Sequence, residues 1–171
     1  MSFKPNFEVK IPKEYGPQER EAIARDIIDL IVERTESGKG VKDGALYSFP
    51  SYASKEYANL KGSSRPDLRL TGEMLESLRL VSEKNGLLKI GYSKSDSVAG
   101  KVEGNCIGSY GGEENPRLAR NFLGITQDEL DKVLKKYPVE TKKESAQKSG
   151  AIKTTAEEIL DLLNLGFFSG P

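Results

Sequence analysis

Residues 70–92 read LTGEMLESLRLVSEKNGLLKIGY, and this stretch decides the fold. Met74, Leu75 and Leu78 recur at helical spacing, and the Thr71 hydroxyl is placed to cap a short helical turn. After Leu78 the apolar residues recur at every second position, which is typical of strands with one buried face. The stretch therefore predicts a helical turn that runs into a β-hairpin.

The register of this hairpin depends on the length of its turn. A two-residue turn at Asn85 and Gly86 would pair Leu80 with Gly91 and put the apolar residues of the two strands on opposite faces. A three-residue loop with Gly86 in the left-handed region would instead pair Leu80 with Ile90 and give one apolar face. We therefore predict the three-residue loop, with a bulge at Gly86, and a partner that covers the apolar face.

The composition indicates a single domain and excludes several kinds of chemistry. The chain has 171 residues, with 26 basic and 26 acidic side chains, so it has no general attraction to nucleic acid or to anionic membranes. It contains no histidine, which rules out Ser-His-Asp and Cys-His catalysis. A single cysteine, Cys106, precludes an intramolecular disulfide. Since no apolar run suits a signal peptide or a membrane span, we expect a soluble protein without a membrane partner.

Residues 1–16 are predicted to form an extended arm. Phe7, Val9 and Ile11 alternate with polar residues, so a short edge strand is possible, and Pro12 would end it. Two alternatives stay open at this point. The arm packs on its own domain, or it reaches a neighbouring subunit.

Two helices have clear start and stop signals. The first begins at Pro17, carries an apolar stripe and ends near Thr35, before a glycine-rich break that is followed by a turn at residues 43–44. The second follows Thr126, which forms a capping box with Glu129, and it stops at Pro138.

The segments between these elements read mostly as loops. Residues 45–61 are rich in aromatic side chains, which could stack on single-stranded nucleic acid, but basic residues are sparse there. We therefore predict a long loop and a short helix that the rings pin to the core. Residues 98–112 hold five glycines and predict a short helical turn followed by an irregular loop. Neither glycine-rich segment has the phosphate-loop pattern, so no nucleotide is expected. No spacing pattern supports a metal site, and we expect no cofactor.

The C-terminal part combines a polar linker, residues 139–151, with a strongly apolar segment. That segment is predicted to be a helix that docks either on its own domain or on a neighbouring copy or another protein. Its apolar residues are Ile159, Leu160, Leu162, Leu163, Leu165, Phe167 and Phe168.

Together these signals predict an α+β fold. A small antiparallel sheet packs with the N-terminal helix and a second helix, and long loops connect them. We divide the chain into an N-terminal arm (residues 1–16), an α+β domain (17–138) and a linker with an amphipathic C-terminal helix (139–171).

Four segments in this order resemble the virion-morphogenesis, or tail-completion and neck, proteins of tailed bacteriophages, including the Mu-like group. The similarity covers about residues 17–137, and the longer glycine-rich segment around Cys106 departs from many relatives. The segments are IVERTESGKGVKDG (31–44), LTGEMLESL (70–78), KVEGNCIGSYG (101–111) and RNFLGITQDEL (120–130).

The resemblance implies an architectural role rather than an enzymatic one. It implies a ring of six or twelve copies at the head–tail junction of the virion, made in the host bacterial cytoplasm. Neighbouring neck, connector or tail-tube proteins would be its partners, and phage DNA would pass through the lumen without sequence-specific binding. A tail terminator that caps the tail tube is the alternative architectural role.

Ring subunits need surfaces for their neighbours. The candidates are the N-terminal arm, the C-terminal segment and one basic segment. We expect Phe167 and Phe168 to anchor the C-terminal segment on an adjacent subunit. The full set of candidate interface residues is Phe3, Phe7, Arg117, Arg120, Leu162, Leu165, Phe167 and Phe168.

Two functions from other classes compete with this interpretation. A nucleic-acid-binding accessory protein would use a basic patch, although the acids that balance it favour ordinary surface charges. A carboxylate-based hydrolase would use acids of the glycine-rich segment, but no pair at working separation is recognisable. The residues in question are Arg65, Arg69, Arg79, Arg117 and Arg120 for the patch, and Glu103, Glu113 and Glu114 for the acids.

Overall fold

The structure is a computed structural model that describes residues 3–52, 55–62, 66–68, 72–109 and 118–139. Strands and helices alternate along the chain without a long run of either kind. Their order is β1 (Asn6–Lys10), α1 (Pro17–Glu36), β2 (Lys39–Lys42), β3 (Ala45–Ser48), α2 (Lys55–Lys61), α3 (Glu73–Glu76), β4 (Arg79–Lys84), β5 (Leu87–Gly91), α4 (Ala99–Ile107) and α5 (Gln127–Leu134).

Strands β1, β5 and β4 form an antiparallel sheet in that order, with β5 in the centre. Val9 of β1 lies opposite Leu88 of β5, and both side chains are buried. The pairing extends past the strand ends, since the Tyr92 N–H donates to the Pro5 carbonyl at 2.8 Å. The predicted arm is therefore an edge strand of its own domain, and the first of the two open alternatives holds for residues 6–10.

The hairpin between β4 and β5 corrects our prediction of its turn. Asn85 and Gly86 both have positive φ, 52° and 81°, and Lys84 pairs with Leu87, so the turn has two residues rather than three. Asn-Gly suits this turn because both positions need left-handed backbone, and its twist matches that of the strands.

Leu80 nevertheless pairs with Ile90, as predicted. The register shifts between Leu80 and Ser82, where Val81 is one extra residue in β4. This bulge corrects the register that a two-residue turn would otherwise impose, and it keeps the apolar side chains on one face. We had placed the bulge at Gly86, which was wrong.

Helix α1 covers the buried face of the sheet and contacts β4, β5, β2 and α5. Ile23, Ile27 and Ile31 are fully buried, as expected from their spacing. The helix begins at Pro17, as predicted, and ends at Glu36, one residue beyond the predicted end.

The β2–β3 hairpin was not predicted. We read its first residues as a helix break and its second strand as loop, and only the turn at Asp43 and Gly44 was recognised. Both turn residues have positive φ, 53° and 77°, and Lys42 pairs with Ala45. Strands of four residues are too short for a pattern of alternation to be visible in the sequence.

Helix α4 is longer than the short helical turn that we predicted. Its nine residues bury Val102 and Cys106, and Val98, which precedes it, is also buried at the same spacing of four. Tertiary packing of this face compensates for the glycines, which are poor helix formers. The helix ends at Gly108, whose left-handed φ of 80° is typical of a C-terminal cap.

The predicted N-caps of helices α3 and α5 have different outcomes. Gly72 precedes α3 at its N-cap, whereas the predicted cap Thr71 lies outside the described residues. The Thr126 capping box of α5 is confirmed, because the Thr126 hydroxyl accepts from the Glu129 N–H at 3.2 Å and the Glu129 carboxylate accepts from the Thr126 N–H at 2.9 Å.

The α+β class is thus confirmed, with a small antiparallel sheet packed against helices. The first compact unit of the chain is Met1–Tyr137, and the second is Pro138–Pro171. The predicted C-terminal helix lies in residues 140–171, outside the part of the chain that the structure describes.

Candidate interaction surface

The four segments that carry the resemblance contact one another in the fold. The Val41 N–H donates to the Asn121 carbonyl at 3.0 Å, which joins the first segment to the fourth. The Arg120 N–H donates to the Asn105 carbonyl at 2.7 Å, which joins the fourth to the third. The Asn105 amide donates to the Met74 sulfur at 3.7 Å, which joins the third to the second. Hydrogen bonds therefore join the four segments into one connected scaffold.

A buried ion pair lies at the centre of this scaffold. Arg34, at the end of α1, donates from Nη1 to Glu129 Oε2 at 2.9 Å and from Nη2 to the carbonyls of Phe122 and Gly124, at 2.7 and 3.0 Å. Both charged side chains are less than a tenth exposed. Burial lowers the pKa of Arg34, while its contact with Glu129 opposes that shift. Arginine stays protonated nonetheless, so the pair fixes α5 and the preceding loop to α1.

Sequence reasoning missed this pair, although a signal was present. Arg34 follows Ile27 and Ile31 at spacings of four and three, so it continues the apolar stripe of α1. A charged residue on a buried stripe needs a buried partner. Glu129 was assigned only its capping role, because a sequence does not show which distant acid would supply that partner.

Arg120, a predicted interface residue, binds residues 50–52 of the aromatic-rich segment. It donates from Nε to the Pro50 carbonyl and from Nη2 to the Ser51 carbonyl, both at 3.1 Å, and its guanidinium lies 5.2 Å from the Tyr52 ring. Burial is the main cause that lowers its pKa. Tyr47 holds the same region, since its hydroxyl accepts from the Asn121 N–H at 2.7 Å. The rings thus hold residues 47–52, as we predicted, but Ala45–Ser48 form a strand rather than a loop, and the short helix α2 is not buried.

The remaining predicted interface residues are only partly described. Phe3 and Phe7 are half-buried, and Phe7 pairs with Ile90 in the sheet. Arg120 is also half-buried. Those outside the described residues are Arg117, Leu162, Leu165, Phe167 and Phe168.

The described members of the two rival sites, Arg79, Arg120 and Glu103, lie on different segments of the fold. Of the proposed basic patch, Arg79 donates to Asp96 at 2.8 Å, and this hydrogen bond raises the pKa of Arg79. Glu103 is exposed on α4. Those that lie outside the described residues are Arg65, Arg69, Arg117, Glu113 and Glu114.

Other possible reactive groups are few in the described ranges. They hold no cluster of three or more acidic or cysteine side chains suited to a metal ion. Burial raises the pKa of the Cys106 thiol to about 12, so almost no thiolate is present at neutral pH.

Helix α2 presents apolar side chains to solvent. None of its seven residues is buried, and Leu60 is 79 % exposed. Tyr57 on the same helix is 38 % exposed and packs edge-on against Tyr52, with ring centroids 5.0 Å apart. Lys61 anchors the end of the helix through Asp67 and the Tyr52 hydroxyl. Our sequence reasoning predicted this helix but not its exposed apolar surface.

A groove between α1 and α3 is the second surface feature, and we call it the α1–α3 groove. It encloses about 210 Å³. Its lining combines apolar and acidic side chains with one glycine, and includes no basic residue. The lining residues are Ile28, Asp29, Val32, Glu36, Gly72, Leu75, Glu76 and Leu78.

Two findings bear on what kind of protein this is. Within the described ranges, no helix combines the length and hydropathy needed to cross a membrane. No protein-family model, curated protein or solved structure matches the chain.

Proposed function

We propose that this chain is a structural subunit of a tailed bacteriophage that forms a ring at the head–tail junction. There it joins the tail to the head or connector, and capping of the tail tube is the alternative role. The observation that carries the proposal is the contact among the four segments of the resemblance. Because their polar groups bind one another, these segments are suited to hold a scaffold in place rather than to form a reactive centre.

Two further properties support an architectural role. The net charge is zero, which suits a subunit around a channel through which DNA must slide, since Lys and Arg contacts with phosphates would hold the duplex. The exposed Leu60 and Tyr57 side chains of α2 provide apolar surface that a neighbouring protein can cover. The partners would be copies of the same chain and the adjacent neck, connector or tail-tube proteins.

The first experiment is light scattering over a concentration series, followed by negative-stain imaging of the same sample. We expect rings of six or twelve copies. A monomer at every concentration, which also fails to form rings on added tails or connectors, would contradict the proposal. Binding to short DNA duplexes that weakens steeply with salt would instead favour the nucleic-acid-binding alternative.

The role of the apolar C-terminal segment is tested separately. We expect deletion of residues 152–171 to weaken ring assembly and reduce the number of infectious particles. Complete rings and normal infectivity after this deletion would show that Phe167 and Phe168 are not anchors.

A further inference from the structure

Asn85 is the one asparagine in the chain that precedes a glycine, and the two residues form the turn between β4 and β5. Glycine has no Cβ, so its nitrogen is less hindered than that of a residue with a side chain. In an unrestrained chain such a nitrogen attacks the side-chain amide of the preceding asparagine. The bond between Gly86 N and Asn85 Cγ forms, the bond between Asn85 Cγ and Nδ2 breaks, and ammonia leaves with the amide proton of Gly86. Water then opens the succinimide ring at one of its two carbonyls, which gives aspartate or isoaspartate.

The native turn holds the two reacting groups apart. Ring closure requires the Asn85 side chain and the Gly86 nitrogen to lie on the same side of the bond between the Cα and the carbonyl carbon of Asn85. Asn85 has a φ of 52°, in the left-handed region, where ψ is about +30 to +60°. With ψ of this sign, the Cβ of an L-residue lies nearly opposite the next nitrogen across that bond. The groups therefore cannot meet while the turn keeps its form, although the Asn85 side chain is exposed to solvent.

Three interactions oppose the rotation that would bring these groups together. The Gly86 N–H donates to Glu83 Oε1 at 3.1 Å, and the Gly86 carbonyl accepts from the Ile11 N–H at 2.9 Å. Lys84 pairs with Leu87 across the turn. Each interaction of this kind favours the closed turn by about fivefold, so the three together favour it by about 100-fold.

We propose that Asn85 is a deamidation site that the native turn blocks and that reacts when the turn opens. Aspartate tolerates the left-handed region, so this product is compatible with the turn. Isoaspartate adds one carbon atom to the main chain of a two-residue turn, and the register of β4 and β5 leaves no place for it. A chain that stays open long enough therefore acquires a covalent mark that hinders the hairpin from forming again. The site is a property of the folded chain itself and does not require the ring.

The first measurement compares the unchanged protein in buffer and in concentrated guanidinium chloride, at the same neutral pH and the same temperature. Trypsin releases residues 85–89, and mass spectrometry follows the conversion of the Asn85 amide to an acid. We expect the native protein to react about 100-fold more slowly than the unfolded chain. Equal rates in the two solvents would overturn the proposal.

Two matched variants test whether the turn opens locally. Glu83 and Asp96 are alike, since each accepts from one arginine and from one backbone N–H three residues away. Glu83→Ala should raise the native rate of Asn85 deamidation by about fivefold, whereas Asp96→Ala should leave it unchanged.

Two results of this comparison would overturn the proposal. An equal increase in both variants would mean that the reaction follows unfolding of the whole domain. A slower reaction in Glu83→Ala would mean that the carboxylate promotes the attack instead of holding the nitrogen in place. Far-UV circular dichroism must show that both variants are folded, and the comparison of the unchanged protein in the two solvents decides the matter if either variant unfolds.

Discussion

Removal of the Glu129 carboxylate should destabilise the protein far more than removal of the exposed Asp128 carboxylate on the same helical turn. Arg34 is 7 % exposed, and Glu129→Ala would leave its charge buried without a counter-ion. Breaking a buried pair in this way costs about 3–5 kcal/mol. The same change removes the acceptor for the Thr126 N–H, which adds up to about 1 kcal/mol. Since a domain is stable by only about 5–15 kcal/mol, this loss is a large part of the total.

Urea unfolding measures the effect. The chain has no tryptophan, so far-UV circular dichroism is the appropriate signal. With a denaturant dependence of about 2 kcal/mol per molar, a loss of about 4 kcal/mol lowers the midpoint by about 2 M. Glu129→Gln keeps the hydrogen-bond acceptor and loses only the charge, so its midpoint should lie between those of Glu129→Ala and the unchanged protein.

The control is Asp128→Ala on the same helical turn. Asp128 is exposed, and its loss should cost under about 1 kcal/mol through the helix dipole. If Glu129→Ala and Asp128→Ala have the same midpoint within error, the ion pair does not stabilise the fold, and the reasoning above is refuted.

Three further predictions concern the turns, the pH dependence and the cysteine. Gly86→Ala should destabilise the fold more than Gly44→Ala in the same urea assay. Both positions have positive φ, but a Cβ at Gly86 would lie 2.8 Å from the Ile11 carbonyl oxygen, whereas one at Gly44 meets nothing within 4 Å; equal losses would contradict this. The thermal midpoint should stay nearly constant between pH 5 and 8, because the chain has no histidine, and fall below about pH 4. The Gly86 N–H and Arg20 lower the pKa of Glu83, and Arg79 and the Ser93 N–H lower that of Asp96. The stabilisation by these carboxylates is therefore present at neutral pH and lost as they become protonated. A larger change of the thermal midpoint between pH 5 and 8 than between pH 3 and 5 would refute this prediction. Cys106 should react with a thiol reagent only as fast as the protein opens, and labelling of the folded protein at the rate of a free thiol would contradict its burial.

The sequence predicts those elements whose signals are local. Pro17 and the isoleucine stripe identify α1, and Thr126 with Glu129 identifies the start of α5, since a cap or a stripe lies within a few turns of the chain. The pairing of Leu80 with Ile90 was also predictable, because only that register leaves one apolar face. The turn was not, because a bulge at Val81 restores the same register after a two-residue turn.

Features that join distant parts of the chain could not be predicted. The Arg34–Glu129 pair spans 95 positions, and nothing in the sequence assigns one particular acid to one particular arginine. The strands β2 and β3 form because the Asn121 carbonyl and the Phe49 side chain lie against them, so their stability comes from contacts that are distant in sequence. The exposed face of α2 was missed for the same reason, since exposure is a property of the finished fold.

Because its contacts join early and late segments, the compact unit Met1–Tyr137 cannot reach its final form gradually as it leaves the ribosome. The three-stranded sheet needs residues up to Gly91, and the Tyr15 hydroxyl finds its acceptor only when Tyr137 is present. Until α5 emerges, the charge of Arg34 has no counter-ion and part of α1 stays uncovered. The nascent chain should therefore remain sensitive to proteases until about residue 137 has cleared the exit tunnel, and then become resistant in one step.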